Sequence, residues 1–233
     1  MEATNELDRL AQIHGSDKFG GHSYTKHYHR YFKEMRDSAI HLLEIGIGGY
    51  DDPNAGGASL RMWRDYFPQA QIYGLDWFEK PGIAGDRIRT YKGSQADPVT
   101  LSRIIDDAPN RLFDVIIDDG SHRSEHVIST FMMMFQYVAD GGWYVVEDTQ
   151  TSYWSHFGGS SSQMGAPLTM NGFFSSLIDG LNWREIHRPG YTPNYTDTNI
   201  TDIHFHHNMI FIRKGENLEP SNHVIDNRIP GQS

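Results

Sequence analysis

The sequence predicts an α/β protein built on a mostly parallel seven-stranded sheet, with helices on both faces and an antiparallel hairpin at the C-terminal edge. Three observations carry that expectation. Short apolar runs end in glycine or an acid, as strands buried on both faces do. Segments with apolar residues at helical spacing alternate with them. Of the 233 residues, 38% are hydrophobic and 12% aromatic, enough to close one core and to exclude wholesale disorder. At roughly 150 residues per domain, one large domain is expected, over residues 1–215.

Residues 5–13 read as a short helix that stops before the turn signal Gly15-Ser16-Asp17. Residues 26–36 read as a second, with Tyr28, Tyr31, Phe32 and Met35 at helical spacing. The two make an N-terminal helical segment over 1–37. Strands are expected at 40–46, 71–76, 87–91, 113–118 and 143–147, with helices between them at 60–67, 100–107 and 125–138. Residues 149–170 are rich in Gly, Ser, Tyr and Trp and have no period. A connection this long in a domain usually serves function, so it is expected to be a lid loop. Residues 171–181 are helical again, 183–187 and 203–213 read as the terminal strand pair, and 216–233 as a loosely ordered polar tail.

Twenty basic and thirty acidic side chains leave a net charge of −10. That balance disfavours nucleic acid, whose binding is driven by phosphate neutralisation, and an anionic membrane surface. No run of 18 apolar residues occurs, and the opening MEATNELDRL has neither the basic nor the apolar part of a signal peptide. The expectation is a cytoplasmic chain. With no cysteine among the 233 residues, disulfides, Cys-ligated zinc, iron–sulfur clusters and thiol nucleophiles are excluded within it.

Ligands of an open α/β sheet sit outside the carboxyl ends of its strands, so the residues that follow each strand matter most. They are Glu44, Gly46, Gly48 and Gly49; then Asp76; then Gly93, Ser94, Gln95 and Asp97; then Asp118, Asp119 and His122; then Glu147 and Asp148. All should converge on one edge. The run Glu44-Ile45-Gly46-Ile47-Gly48-Gly49 supplies small residues where a backbone must approach a cofactor, and Asp76 is placed to accept from ribose hydroxyls; an ordinary strand–helix turn is the plain alternative. No glycine stands at the sixth place of a dinucleotide fingerprint, which disfavours a nicotinamide-dependent oxidoreductase. Three to four carboxylates at two adjacent strand ends repel one another unless a cation sits between them. Oxygen donors without sulfur suit Mg²⁺, with Mn²⁺ or Ca²⁺ as alternatives; capping, as by Asp119, is the structural alternative. His122, three residues past a candidate ligand, is the best general base in the chain.

The pattern E-x-G-x-G followed by a strand-end acid resembles the class I, Rossmann-like methyltransferases that use S-adenosylmethionine (SAM). Most of the chain, from His14-Gly15-Ser16-Asp17-Lys18 through Tyr24-Thr25 and Tyr28 to His204-Phe205-His206-His207-Asn208, resembles the metal-dependent sugar O-methyltransferases. The most specific parts are Asp118-Asp119-Gly120-Ser121-His122 and Glu147-Asp148-Thr149-x-Thr151-Ser152-Tyr153-Trp154. The resemblance implies SAM and Mg²⁺ as cofactors, Asp119, Glu147 and Asp148 as metal ligands, and His122 as base. Ser16, Tyr24, Glu44, Gly46, Asp76, Ser94, Gln95 and Asp118 are expected at the SAM site, with Ser16 and Tyr24 closing over it. Tyr153, Trp154 and His206 are candidate acceptor contacts. The acceptor is expected to be a carbohydrate or glycosylated small molecule, either a methylated mannoside polysaccharide precursor or a glycosylated natural product. The protein is expected to be a homo-oligomer, a dimer first of all, and the extra N-terminal domain of the macrolide-modifying members has no counterpart in this sequence. A non-catalytic nucleoside-binding module is the rival from another class.

Overall fold

A computed structural model describes residues 2–223. Asn5 accepts from the Asp8 amide and starts helix α1 (Glu6–His14), which Gly15 ends in the left-handed conformation. Helix α2 (Thr25–Phe32) follows and runs on into a 3₁₀ turn, Lys33–Met35, so the expected 26–36 helix is a helix plus a tighter turn. Then come β1 (His41–Ile45), α3 (Ala58–Tyr66), β2 (Gln71–Asp76) and β3 (Ile88–Lys92). Helix α4 (Pro98–Asp107) is capped by Asp97 with proline in its first turn. Strand β4 (Phe113–Asp118), helix α5 (Ser124–Met134) and strand β5 (Val138–Glu147) complete the alternation. Short helices α6 (Met170–Ser176), α7 (Ile178–Leu181) and α8 (Tyr195–Asn199) lead to β6 (Ile200–His206) and β7 (Met209–Lys214).

The sheet has the order β3-β2-β1-β4-β5-β7-β6, parallel from β3 to β5 and antiparallel for β7 and β6. Adjacent strand residues feed opposite cores: Leu42, Val115 and Val145 join Tyr28, Phe32 and Trp63 on one face. Leu43, Ile116 and Tyr144 join Leu101, Phe131 and Phe174 on the other. Both faces are thus covered, and the apolar strands need no polar alternation.

Two expectations are corrected. Residues 183–187 are not a strand; Trp183–Glu185 is a 3₁₀ turn whose indole donates to the Asn217 carbonyl. Both terminal strands lie instead within 200–214, joined at His207 and Asn208, the latter with φ 63°. The expected long helix at 125–138 stops at Met134, and β5 starts at Val138, five residues before the apolar run that signals it. An irregularity between Phe113 and Val115 in the β4 pairing absorbs the extra residues. In the segment 149–170, Thr151 and Ser152 are buried, and a Cβ on Gly159 would fall 2.4 Å from the Ser152 carbonyl. The base of the expected lid is therefore packed. Of the expected loose tail, Asn217 is held by donation to the Gly180, Leu181 and Asp197 carbonyls, and 224–233 lie outside the described residues. Among the described residues no helix is long and apolar enough to cross a membrane.

Candidate active site

At the carboxyl end of the sheet lies a cavity of about 510 Å³. Its first side is made by backbone. Beyond β1, Gly46 takes φ 98°, and its amide donates to the Leu75 carbonyl at 2.8 Å. A Cβ there would sit 2.0 Å from the Asp119 carbonyl oxygen, so only glycine fits. Asp76 secures the turn: Oδ2 accepts from the Ile47 amide and Oδ1 from the Phe78 amide, each at 2.9 Å. Gly48, Gly49, Trp77, Phe78, Gly93 and Ser94 continue this wall.

The second side is made by charged side chains. Asp119 and His122 follow β4, and Asp148 follows β5, all three half-buried and lining the cavity. His122 Nε2 stands 3.7 Å from Asp148 Oδ2. The backbone of His122 is left-handed, φ 54°, and its carbonyl accepts from Thr151 Oγ1 at 3.0 Å. Donor atoms of Asp119, His122 and Asp148 lie within 4.8 Å of one another. Behind them a second group, Glu44, Asp119 and Glu147, surrounds the ammonium of Lys18, which is 1% exposed. Lys18 Nζ donates to Asp119 Oδ2 and Glu147 Oε1, each at 2.7 Å, and stands 3.2 Å from Glu44 Oε1. The Tyr28 hydroxyl donates to the same Glu147 oxygen, and Trp63 Nε1 to Glu44 Oε2 at 3.1 Å.

Three carboxylates around one ammonium leave an excess of negative charge. Burial pushes Glu44 up to about 7, and burial together with the Asp119 charge pushes Glu147 well above the usual carboxylate range. Burial opposes ionisation of Asp148 too, but the Tyr24 hydroxyl and His122 outweigh it and hold that carboxyl below its ordinary value. A cluster of carboxylate oxygens whose mutual repulsion a bound cation would relieve, with an open cavity beside it, fits a hard divalent cation.

Gly46, Asp76, Ser94, Asp119, His122 and Asp148 all come together at the cavity, and Gln95 reaches its edge. Other expected SAM contacts are placed elsewhere. Gln95 is 6% exposed and its amide is spent on Asp118, Thr130 and the Ser121 backbone. Asp118, pushed up to about 7 by burial, faces that amide rather than the cavity. Glu44 lies behind the wall with Lys18 and Trp63. Ser16 is buried, receiving the Lys18 amide. Tyr24 does not close over the cavity; its hydroxyl donates to Asp148 Oδ1 at 2.6 Å. His206 stacks on His27 at 3.9 Å, on the sheet edge, and Tyr153 and Trp154 are half-exposed outside the cavity wall. Lys18 and Tyr28, which stand in the motifs quoted above, are not among the expected site residues yet hold Asp119 and Glu147, because a buried ammonium leaves no mark in periodicity. Trp77 and Phe78 carried a signal: two aromatics directly after a strand-end acid.

No protein-family model matches the chain. Mycinamicin VI 2''-O-methyltransferase of Micromonospora griseorubida is 43% identical over 216 residues, 92% of this chain and 54% of that protein. The 8-demethyl-8-alpha-L-rhamnosyl tetracenomycin-C 2'-O-methyltransferase of Streptomyces olivaceus is 44% identical over 91% of this chain and 55% of its own length. A methyltransferase from the mycinamycin biosynthetic pathway, solved in complex with Mg, SAH and mycinamycin VI, superimposes with a TM-score of 0.87 at 42% identity, covering 93% of this chain and 55% of that one. A putative caffeoyl-CoA O-methyltransferase from Staphylococcus aureus, 12% identical with a TM-score of 0.52 over 91% of this chain and 93% of its own, shares the fold alone. The chain spans about half the length of the curated relatives it matches. Over nine-tenths of its length the chain is similar to these sugar O-methyltransferases, and it shares the class I methyltransferase fold.

Proposed function

We propose that this protein transfers a methyl group from SAM to a sugar hydroxyl of a glycosylated small molecule, with a divalent cation, Mg²⁺ first of all, in the site. One observation carries the reading: a single cavity joins the glycine turn and Asp76 to Asp119, His122 and Asp148. The activities and bound groups of the similar proteins point the same way. Gly46, Asp76 and Ser94 would receive SAM, with the nucleoside along the backbone-made wall. Asp119 and Asp148 would hold the ion; the hydrogen bonds to Glu147 both fall on Oε1, so Oε2 would join them. A divalent ion bound there supplies positive charge against the oxyanion that develops as the hydroxyl loses its proton. His122 would take that proton as the oxygen attacks the sulfonium methyl in line; a C–O bond forms, the C–S bond breaks, and S-adenosylhomocysteine leaves. The rest is positioning.

Binding calorimetry with SAM, S-adenosylhomocysteine and NAD, each with and without Mg²⁺, tests the cofactor. SAM and its product should bind, and Asp76→Ala should weaken SAM about 10–100-fold, a loss of one to two hydrogen bonds to a charged group. Binding of NAD in their place would revive the oxidoreductase, and binding without turnover the nucleoside-binding module. Label transfer from methyl-labelled SAM to glycosylated natural products and to mannosides, with a chelator control, tests the acceptor.

A further inference from the structure

We propose that residues 18–28 form the outer shell of the ion site, each of its three carboxylates being held through one oxygen, so that ion binding and docking of this segment are coupled. The proposal rests on the ion-dependent reading above. The sheet supplies the carboxylates from the ends of β4 and β5; Gln150 hydrogen-bonds Asp148 locally, but the other donors that fix them come from the N-terminal segment. Lys18 holds Asp119 through Oδ2 and Glu147 through Oε1, Tyr28 reinforces the same Glu147 oxygen, and Tyr24 holds Asp148 through Oδ1. Asp148 Oδ2 is left turned toward His122. These partners stand 101 to 129 residues apart in sequence.

Terminal carboxylate torsions are soft. A donor on one oxygen therefore sets where the other points, and the loss of such an outer partner typically lowers metal affinity about 10–100-fold. Lys18 does a second thing. Burying Glu44 and Glu147 with no cation between them would leave uncompensated charge in the interior, which is strongly unfavourable. The ammonium thus compensates Glu44 and the Oε1 side of Glu147, and an exchangeable ion fits on the cavity side, at Asp119 and Asp148, where Glu147 Oε2 would reach it. Asp119 serves both. The donors also move as one piece: the amides of Tyr24 and Thr25 both donate to the Lys18 carbonyl, at 3.0 and 3.2 Å, and the Tyr28 ring packs on Trp63 at 4.8 Å.

Mg²⁺ titration calorimetry on wild type, Tyr24→Phe and Lys18→Met, with SAM affinity measured in parallel, tests this. Tyr24→Phe removes one oxygen and keeps the ring against His22, so the test does not depend on how well Lys18→Met folds. We expect about 10–100-fold weaker Mg²⁺ binding in Tyr24→Phe with SAM affinity at the wild-type level. By reciprocity, Mg²⁺ should slow amide hydrogen exchange over residues 16–28 in wild type and much less in Tyr24→Phe. Equal Mg²⁺ affinity in the two proteins, with exchange at 16–28 indifferent to the ion, would overturn the coupling and leave the ion-dependent reading standing. A wild-type protein that binds no Mg²⁺ and still transfers methyl would overturn both.

Discussion

The two sides of the cavity are built by opposite means. The wall beyond β1 and β2 is shaped backbone, three glycines at positive φ secured by one carboxylate that accepts two amides. The wall beyond β4 and β5 is a side-chain network, in which nearly every acid is held by a donor from another part of the chain. A backbone-made surface is rigid and accepts a ligand by shape. A network of charged groups has surplus charge to offer and stays responsive to ions and protons. On the function proposed above, the first side would serve the cofactor and the second the hydroxyl that loses its proton.

Removing His122 tests the responsive side with the largest effect. His122→Ala should lose about 10²–10⁴ in turnover, the usual worth of a general base, while SAM affinity stays near wild type. Steady-state rates of the two proteins across a range of pH, at saturating Mg²⁺ and SAM, check it. Equal turnover across the range would make His122 a bystander. Gly46→Ala tests the shaped side. A positive φ and a Cβ 2.0 Å from the Asp119 carbonyl should together cost roughly 2–5 kcal/mol, read by denaturant unfolding. Because that carbonyl belongs to the acid loop, Mg²⁺ affinity should fall as well; a variant of full stability would dissolve the contrast drawn here.

The smallest effect sharpens the comparison from outside it. Burial and the neighbouring His206 hold His27 down at about 4, against an ordinary value of 6.5. A depressed imidazole contributes stability that is present above 6.5 and lost as pH falls toward 4, because the unfolded chain takes up the proton first. Thermal melts should decline by a few degrees over that window, and the decline should be shallower in His27→Phe.

The backbone-made side was the more legible in sequence. Residues 71–76 are a strand with the bounds expected of it, and the glycines and Asp76 announce themselves within a few positions. Asp119, His122 and Asp148 were also found, because strand ends of one sheet must meet at one edge. What holds them was not. Lysine is among the residues least often buried, and nothing near Lys18 in sequence forecasts partners at 119 and 147. Gln95 and Asp118 were expected to face a ligand, yet each satisfies the other, a pairing of two loops that no local pattern records. The hairpin 200–214 hid its turn for a different reason. Its bend uses Asn208 at positive φ rather than glycine, so the apolar rhythm runs through with little interruption.

The reach of Lys18 has a consequence for how the chain acquires its shape. Its two shortest ion pairs close loops of 101 and 129 residues, and the Thr149 amide waits for the Asn208 carbonyl. Contacts of such separation form late, since the loop entropy must be met before they contribute. During synthesis residues 18–28 are made well before β5, carrying Lys18, Tyr24 and Tyr28 whose partners do not yet exist. That segment is therefore the last piece of the site to settle, although it is made before the strands whose acids it holds.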